Sequence, residues 1–165
     1  NRMRRLLLAA GCLCLAHIVA GYGSGAPTEA CGDLTPQHPA KPKTTRSPYM
    51  IHVSKTRIRS NESVDVTLKP IKDDTFQGFL IQARVGATPV GKFSIPNNNG
   101  DVKLLNCSPG AQDAVTHSSP KEKKEITVTW TPPPGLTEQV IFYYTVAKTG
   151  DEYWVAQKSR TVSVH

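Results

Sequence analysis

Apolar and polar residues alternate singly along much of the chain after residue 48, which is the period of a strand with one face against a core. Over 63–69, Val64, Val66 and Leu68 fall on one side, and Asp65, Thr67 and Lys69 on the other. Ile126, Val128 and Trp130 alternate with Thr127 and Thr129, and Val140, Phe142, Tyr144 and Val146 share a side further on. The longest apolar-rich run is Thr75 to Val85, whose single charge is Arg84. Phe79, Ile81, Ala83 and Val85 form a wholly apolar face there. Gly78, Leu80, Gln82 and Arg84 form a mixed one, with Gly78 leaving room for a backbone or a large ring to come close. This run is the expected central strand. Shorter strands are expected over 49–54, 89–93, 104–106, 153–156 and 160–164.

The breaks between these runs carry turn chemistry: Asp73-Asp74, Pro96-Asn97-Asn98-Asn99-Gly100, a charged turn over Lys121–Glu125, Pro132-Pro133-Pro134-Gly135 and Gly150-Asp151. The chain holds 13 Pro and 12 Gly and shows no helical period of any length. The pattern predicts an all-β fold, an antiparallel β-sandwich of about eight strands. At 165 residues there is room for one domain. Pro36, Pro39, Pro42 and Pro48 make the stretch from Cys31 an extended strap, and Tyr22 to Glu29 reads as a small-residue linker.

Met3-Arg4-Arg5 followed by the apolar run Leu6 to Ala20 and then by small residues reads as a secretory signal peptide; the alternative is a signal anchor, for which the run is short. Residues 1–25 are therefore expected to be removed signal and linker, and 26–165 to be the domain. No second apolar stretch is long enough for a membrane span, so an extracellular protein is expected. Cys12 and Cys14 would leave with the signal. Cys31 and Cys107 remain, and in an oxidising compartment such a pair reads as one disulfide. The alternative is a free or metal-held pair, but no ligands at zinc spacing accompany it.

The formal charge is +7, of which Arg2, Arg4 and Arg5 contribute three, leaving +4 for the remainder. That bias favours acidic surfaces such as sulfated glycans, lipid phosphates or bacterial envelopes, and no nucleic-acid motif is present. Lys55, Arg57 and Arg59 alternate with Thr56, Ile58 and Ser60. In an extended segment they would stand roughly 6.6 Å apart on one face, either as a row for sulfates or phosphates or as a charged edge that resists aggregation. Lys41, Lys43 and Arg46 would extend that anion-binding patch if the strap lay beside it. Asn61-Glu62-Ser63 and Asn106-Cys107-Ser108 fit the N-glycosylation pattern.

Catalytic chemistry finds no support in these residues. A Gly-x-Ser-x-Gly elbow is missing, the histidines show no metal spacing, and there is no flavin fingerprint or haem-ligating span. A non-enzyme without cofactor or metal is expected.

Several motifs then fall in one order: Cys31-Gly-Asp-Leu-Thr-Pro36-Gln-His38, Ser47-Pro48-Tyr49, Phe76-Gln-Gly78-Phe79-Leu80-Ile81-Gln82-Ala83-Arg84, Gly91-Lys-Phe93, Cys107, Thr116-His117, Trp130-Thr-Pro132, Phe142-Tyr-Tyr-Thr-Val146 and Tyr153-Trp154. This series, from about Cys31 to Val164, resembles the reeler domain of reelin, F-spondin, ferric-chelate-reductase-like proteins and small secreted insect defence proteins. Ser60-Asn61-Glu62 stands where the family usually turns on Pro-Gly. The resemblance implies an immunoglobulin-like or fibronectin-like sandwich, a Cys31–Cys107 bridge and secretion. It also implies a part in innate immunity through binding to microbial surfaces, with killing or haemocyte nodulation as outcomes. Two functions are thus expected: a defence protein that binds anionic envelope components such as lipopolysaccharide, or a matrix module that binds heparin-like glycans.

Overall fold

The computed structural model describes residues 22–109 and 111–165. The expected signal peptide lies outside the described residues as far as residue 21. Twelve strands and two short 3-10 turns make up the described chain. A four-stranded sheet runs in the order β1 (Tyr49–Val53), β3 (Val64–Pro70), β9 (Ile126–Thr131), β6 (Lys92–Ser94). The second sheet runs in the order β2 (Arg57–Ile58), β12 (Val162–Val164), β10 (Gln139–Thr149), β4 (Gly78–Val85), β8 (Ala114–His117), β7 (Val102–Leu105). To it β11 (Glu152–Lys158) adds against β10, and β5 (Thr88–Pro89) against β4.

The alternating residues meet between the sheets. Val64, Val66 and Leu68 of β3 and Ile126, Val128 and Trp130 of β9 face Phe79, Ile81 and Ala83 of β4 and Phe142, Tyr144 and Val146 of β10. Trp130 meets Phe142 edge-on, with ring centroids 5.4 Å apart. Its indole N–H donates to the Val90 carbonyl at 2.9 Å, so a buried polar handle is satisfied.

Three expectations about the strands need correction. The strands number twelve rather than about eight, because β2 and β5 have only two residues each and the sequence hid β8. In β8, Ala114, Val115 and Thr116 are all buried, so no alternation marks it. The sandwich is not wholly antiparallel, since β12 pairs β2 in parallel. Finally, 89–93 is not one strand. β5 pairs β4 and β6 pairs β9, so the chain crosses from one sheet to the other at Val90-Gly91. Gly91 carries φ +73, and a Cβ there would lie 2.5 Å from both the Trp130 ring nitrogen and the Thr131 carbonyl. Only glycine suits that crossing.

The mixed face of β4 is also buried: seven of its eight positions, from Gly78 to Arg84, are buried. A second, smaller apolar cluster of Ala30, Leu34, Leu80 and Ala114 lies on it. The stretch 22–48 provides that cover, and part of the expected linker over 22–29 packs on the sheet, with Gly25 buried and Ala26 half-buried against the cluster.

Candidate functional site: the strap and the cleft beneath it

The strap is fastened at a series of points that its sequence makes possible. Cys31 and Cys107 form a disulfide, with Cα atoms 5.6 Å apart. Prolines and tight turns leave strap carbonyls without ladder partners, and the mixed face of the large sheet supplies donors. The Arg84 guanidinium donates to the Cys31 and Gly32 carbonyls, both at 2.9 Å, while its Nε donates to Gln82 at 2.6 Å. Thr145 on β10 donates to the Leu34 carbonyl at 2.6 Å. Further along, the His38 ring lies 5.1 Å from that of Tyr153. The Tyr153 hydroxyl donates to the Ala40 carbonyl, the Lys43 N–H donates to the Tyr153 carbonyl at 2.8 Å, and the Trp154 indole reaches Thr45 at 3.3 Å. Tyr153 and Trp154 are buried, so they anchor the strap rather than present aromatic faces to solvent.

At the other end of the strap sits His117. Its Nδ1 accepts the Phe79 N–H at 3.1 Å and its Nε2 meets the Tyr22 carbonyl at 3.0 Å, an arrangement that fits the neutral ring with its proton on Nε2. Burial lowers its pKa against the opposing hydrogen bonds to the Phe79 and Tyr22 backbone, and the nearby Lys123 and Lys103 charges add a smaller push downward. The ring stands against Gly78, where a Cβ would come within 3.2 Å of it. That is the room the sequence implied at Gly78. His38 is also held below its ordinary value by burial, opposed by the Asp151 charge.

Between strap and sheet a cleft of about 390 Å³ stays open. Ala26, Ala30 and Leu34 of the strap face Leu80 and Ala147 of the sheet across it, with Tyr22 and His117 at one end and His38 and Gly150 at the other. Sequence reasoning missed this cleft. Its one advance signal was the four-residue spacing of Ala26, Ala30 and Leu34 opposite the unexplained Leu80.

Strand β1 separates the two halves of the expected anion patch along the chain. Lys41, Lys43, Arg46, Lys55, Arg57 and Arg59 are all exposed, but Arg46 precedes β1 and Lys55 follows it. That five-residue strand keeps the two groups on the order of 16 Å apart. The second group is not an even row either, since only Arg57 and Ile58 are extended in β2. Lys55 pairs with Glu62 at 3.3 Å, and Glu62 also accepts the Arg59 N–H at 2.8 Å. Among the described residues no carboxylate lies within ion-pair reach of Lys41, Lys43 or Arg46. Asn61 is exposed in its turn; Asn106 is exposed too, and its side-chain oxygen accepts the Gln112 N–H at 2.8 Å next to the disulfide.

Residues 29–165 match the model of the reeler domain. The chain belongs to the reeler family. Among its relatives, defense protein l(2)34Fc of Drosophila melanogaster is 40% identical over 166 residues, covering 98% of this chain and 99% of the other. Ferric-chelate reductase 1 of Bos taurus is 35% identical over 147 residues, covering 86% of this chain but 24% of its own length. The human F-spondin reeler domain superposes with a TM-score of 0.62 at 19% identity, over 76% of this chain and 94% of that one, and shows the shared sandwich. Among the described residues of this reeler protein, no three His, Cys, Asp or Glu side chains cluster as a metal site. No described helix is long and apolar enough to cross a membrane.

Proposed function

We propose that this reeler protein is an exported defence protein that binds anionic components of microbial envelopes, lipopolysaccharide among them. The observation that carries the reading is the free cation group of the strap. Lys41, Lys43 and Arg46 stand exposed, with no carboxylate in ion-pair reach among the described residues, on a backbone held by Tyr153 and Trp154. Cations fixed on a rigid frame meet an anionic polymer without ordering a loop first, so less of the electrostatic gain is lost to entropy. The defence name of the Drosophila relative, which matches over nearly the whole length of both chains, and the disulfide, which suits an oxidising compartment, support the same reading. Reductase activity is not proposed, because the similarity covers a small part of the bovine enzyme. Asn61 is the proposed glycan site of the two sequons.

The test compares lipopolysaccharide binding of wild type with two triple variants, Lys41→Gln/Lys43→Gln/Arg46→Gln and Lys55→Gln/Arg57→Gln/Arg59→Gln. The strap triple is expected to weaken binding about tenfold or more and to flatten its salt dependence, because exposed charges are screened by salt. The second triple should have a smaller effect, since Lys55 is already paired. Unchanged binding in the strap triple would remove the proposal. Heparin bound more tightly than lipopolysaccharide would favour the matrix function instead.

A further inference from the structure

The cleft beneath the strap differs in chemistry from the cation groups above. Its facing walls are side-chain hydrocarbon from Ala26, Ala30, Leu34, Leu80 and Ala147. Of the six polar side chains that line the cleft, Tyr22, His117, Thr145 and Thr149 are already engaged, which leaves Gln77 and His38. Thr145 Oγ1 donates to the Leu34 carbonyl at 2.6 Å and accepts the Ala156 N–H at 3.1 Å, and both His117 nitrogens are used. A sugar or peptide entering here would lose water and gain little hydrogen bonding in return, which is unfavourable. A hydrocarbon chain would lose nothing of that kind.

The ends of the cleft differ in charge. At the Tyr22–His117 end lies Lys103 on β7. It is register-paired with Thr116, so its side chain rises on the same face as the strap. There it lies against Gly25, where any Cβ would strike its methylene and ammonium end. Lys103 is exposed and, among the described residues, has no carboxylate within ion-pair reach. At the opposite end, Asp151 follows Gly150 and acts electrostatically on His38. Neither residue lines the cleft itself, but Lys103 stands beside the Tyr22–His117 end, against Gly25, and Asp151 beside the His38 end.

We infer that the cleft binds the straight acyl chain of a single anionic amphiphile, with its carboxylate or phosphate head at Lys103 and its tail running toward His38. A cavity of about 150 Å³ takes a benzene ring, so the volume here matches a chain on the order of twelve carbons. The inference is independent of the strap cations and stands or falls apart from the envelope-binding proposal.

The experiment is calorimetric titration of the disulfide-bonded protein with sodium octanoate, decanoate and dodecanoate, each kept monomeric. Affinity is expected to rise about fourfold per added methylene until the cleft is full. Ala26→Trp, which fills the cleft, should abolish binding. Lys103→Gln should weaken dodecanoate several-fold while leaving uncharged dodecanol unchanged. If Ala26→Trp fails to fold by circular dichroism, Ala147→Leu takes its place. No saturable binding of dodecanoate, or binding that the cleft-filling variant leaves within twofold, would overturn the inference. Equal loss of dodecanoate and dodecanol in Lys103→Gln would overturn its orientation. Lipopolysaccharide binding by the strap triple is read separately, so failure of one proposal is visible without the other.

Discussion

Lys123 shows how far a single residue can depart from its local pattern. It sits within Lys121–Glu125, which reads as a solvated charged turn, yet it is only 4% exposed. Its backbone pairs with Phe76 in an isolated bridge, which draws the side chain inward. The ammonium then donates to the carbonyls of Gln77, Ser119 and Lys121 at 2.9, 2.8 and 2.6 Å. Three acceptors for three donors is a full complement, and it ties the turn to the start of β4 without a carboxylate. Lys123→Met keeps the stem but orphans those carbonyls. Its expected cost is about 3 kcal/mol, read from urea unfolding midpoints. A loss below about 1 kcal/mol would mean water replaces the ammonium. Nothing in the local sequence distinguishes Lys123 from Lys121 or Lys124, because the distinction lies in which carbonyls the fold gathers.

At the scale of elements, the strap is the part that local pattern described least well. Its prolines marked it as extended, and from Gly32 to Pro48 it forms neither helix nor strand. What it covers was not visible, because an extended segment without ladder hydrogen bonds has no period to read. Its partners Arg84, Thr145 and Tyr153 lie between 52 and 113 residues away along the chain. The disulfide makes the attachment permanent and closes a loop of 76 residues. Removing it by Cys31→Ser/Cys107→Ser is expected to lower stability by roughly 4 kcal/mol. The loss should be local first: amide exchange ought to quicken over 22–34 well before it does in β4 or β10, as expected when one cooperative unit opens below the global limit. Uniform acceleration across all strands would show that strap and sandwich unfold together.

At the scale of the whole molecule, acid stability follows from groups whose pKa values are all displaced downward. His38 and His117 are lowered chiefly by burial. Glu62 and Asp74 are lowered chiefly by backbone hydrogen bonds, from Arg59 and Thr75 respectively. A depressed histidine binds its proton less well in the native state than in the unfolded one. Its stability contribution is therefore complete above the unfolded value near pH 6.5 and drains as pH falls below it. The carboxylates act with the same sign at lower pH, below about 4.5. The urea midpoint is expected to hold steady from pH 8 to 7 and to fall between pH 6.5 and 5. That early fall should be absent in His38→Asn/His117→Asn. A wild-type midpoint that is flat down to pH 5 would contradict the burial of these rings.

Alternation determined by itself that the chain folds as a β-sandwich, because a period of two leaves an amphipathic strand one way to bury its apolar side. The ordered motifs carried the family, and the pair Cys31 and Cys107 carried its bridge. Tertiary structure alone decided what lies on the outer face of β4, how the six cations divide into two groups, and that an apolar cleft opens under the strap. Each of these depends on where an aperiodic segment comes to rest, which is set by contacts with residues distant in the chain.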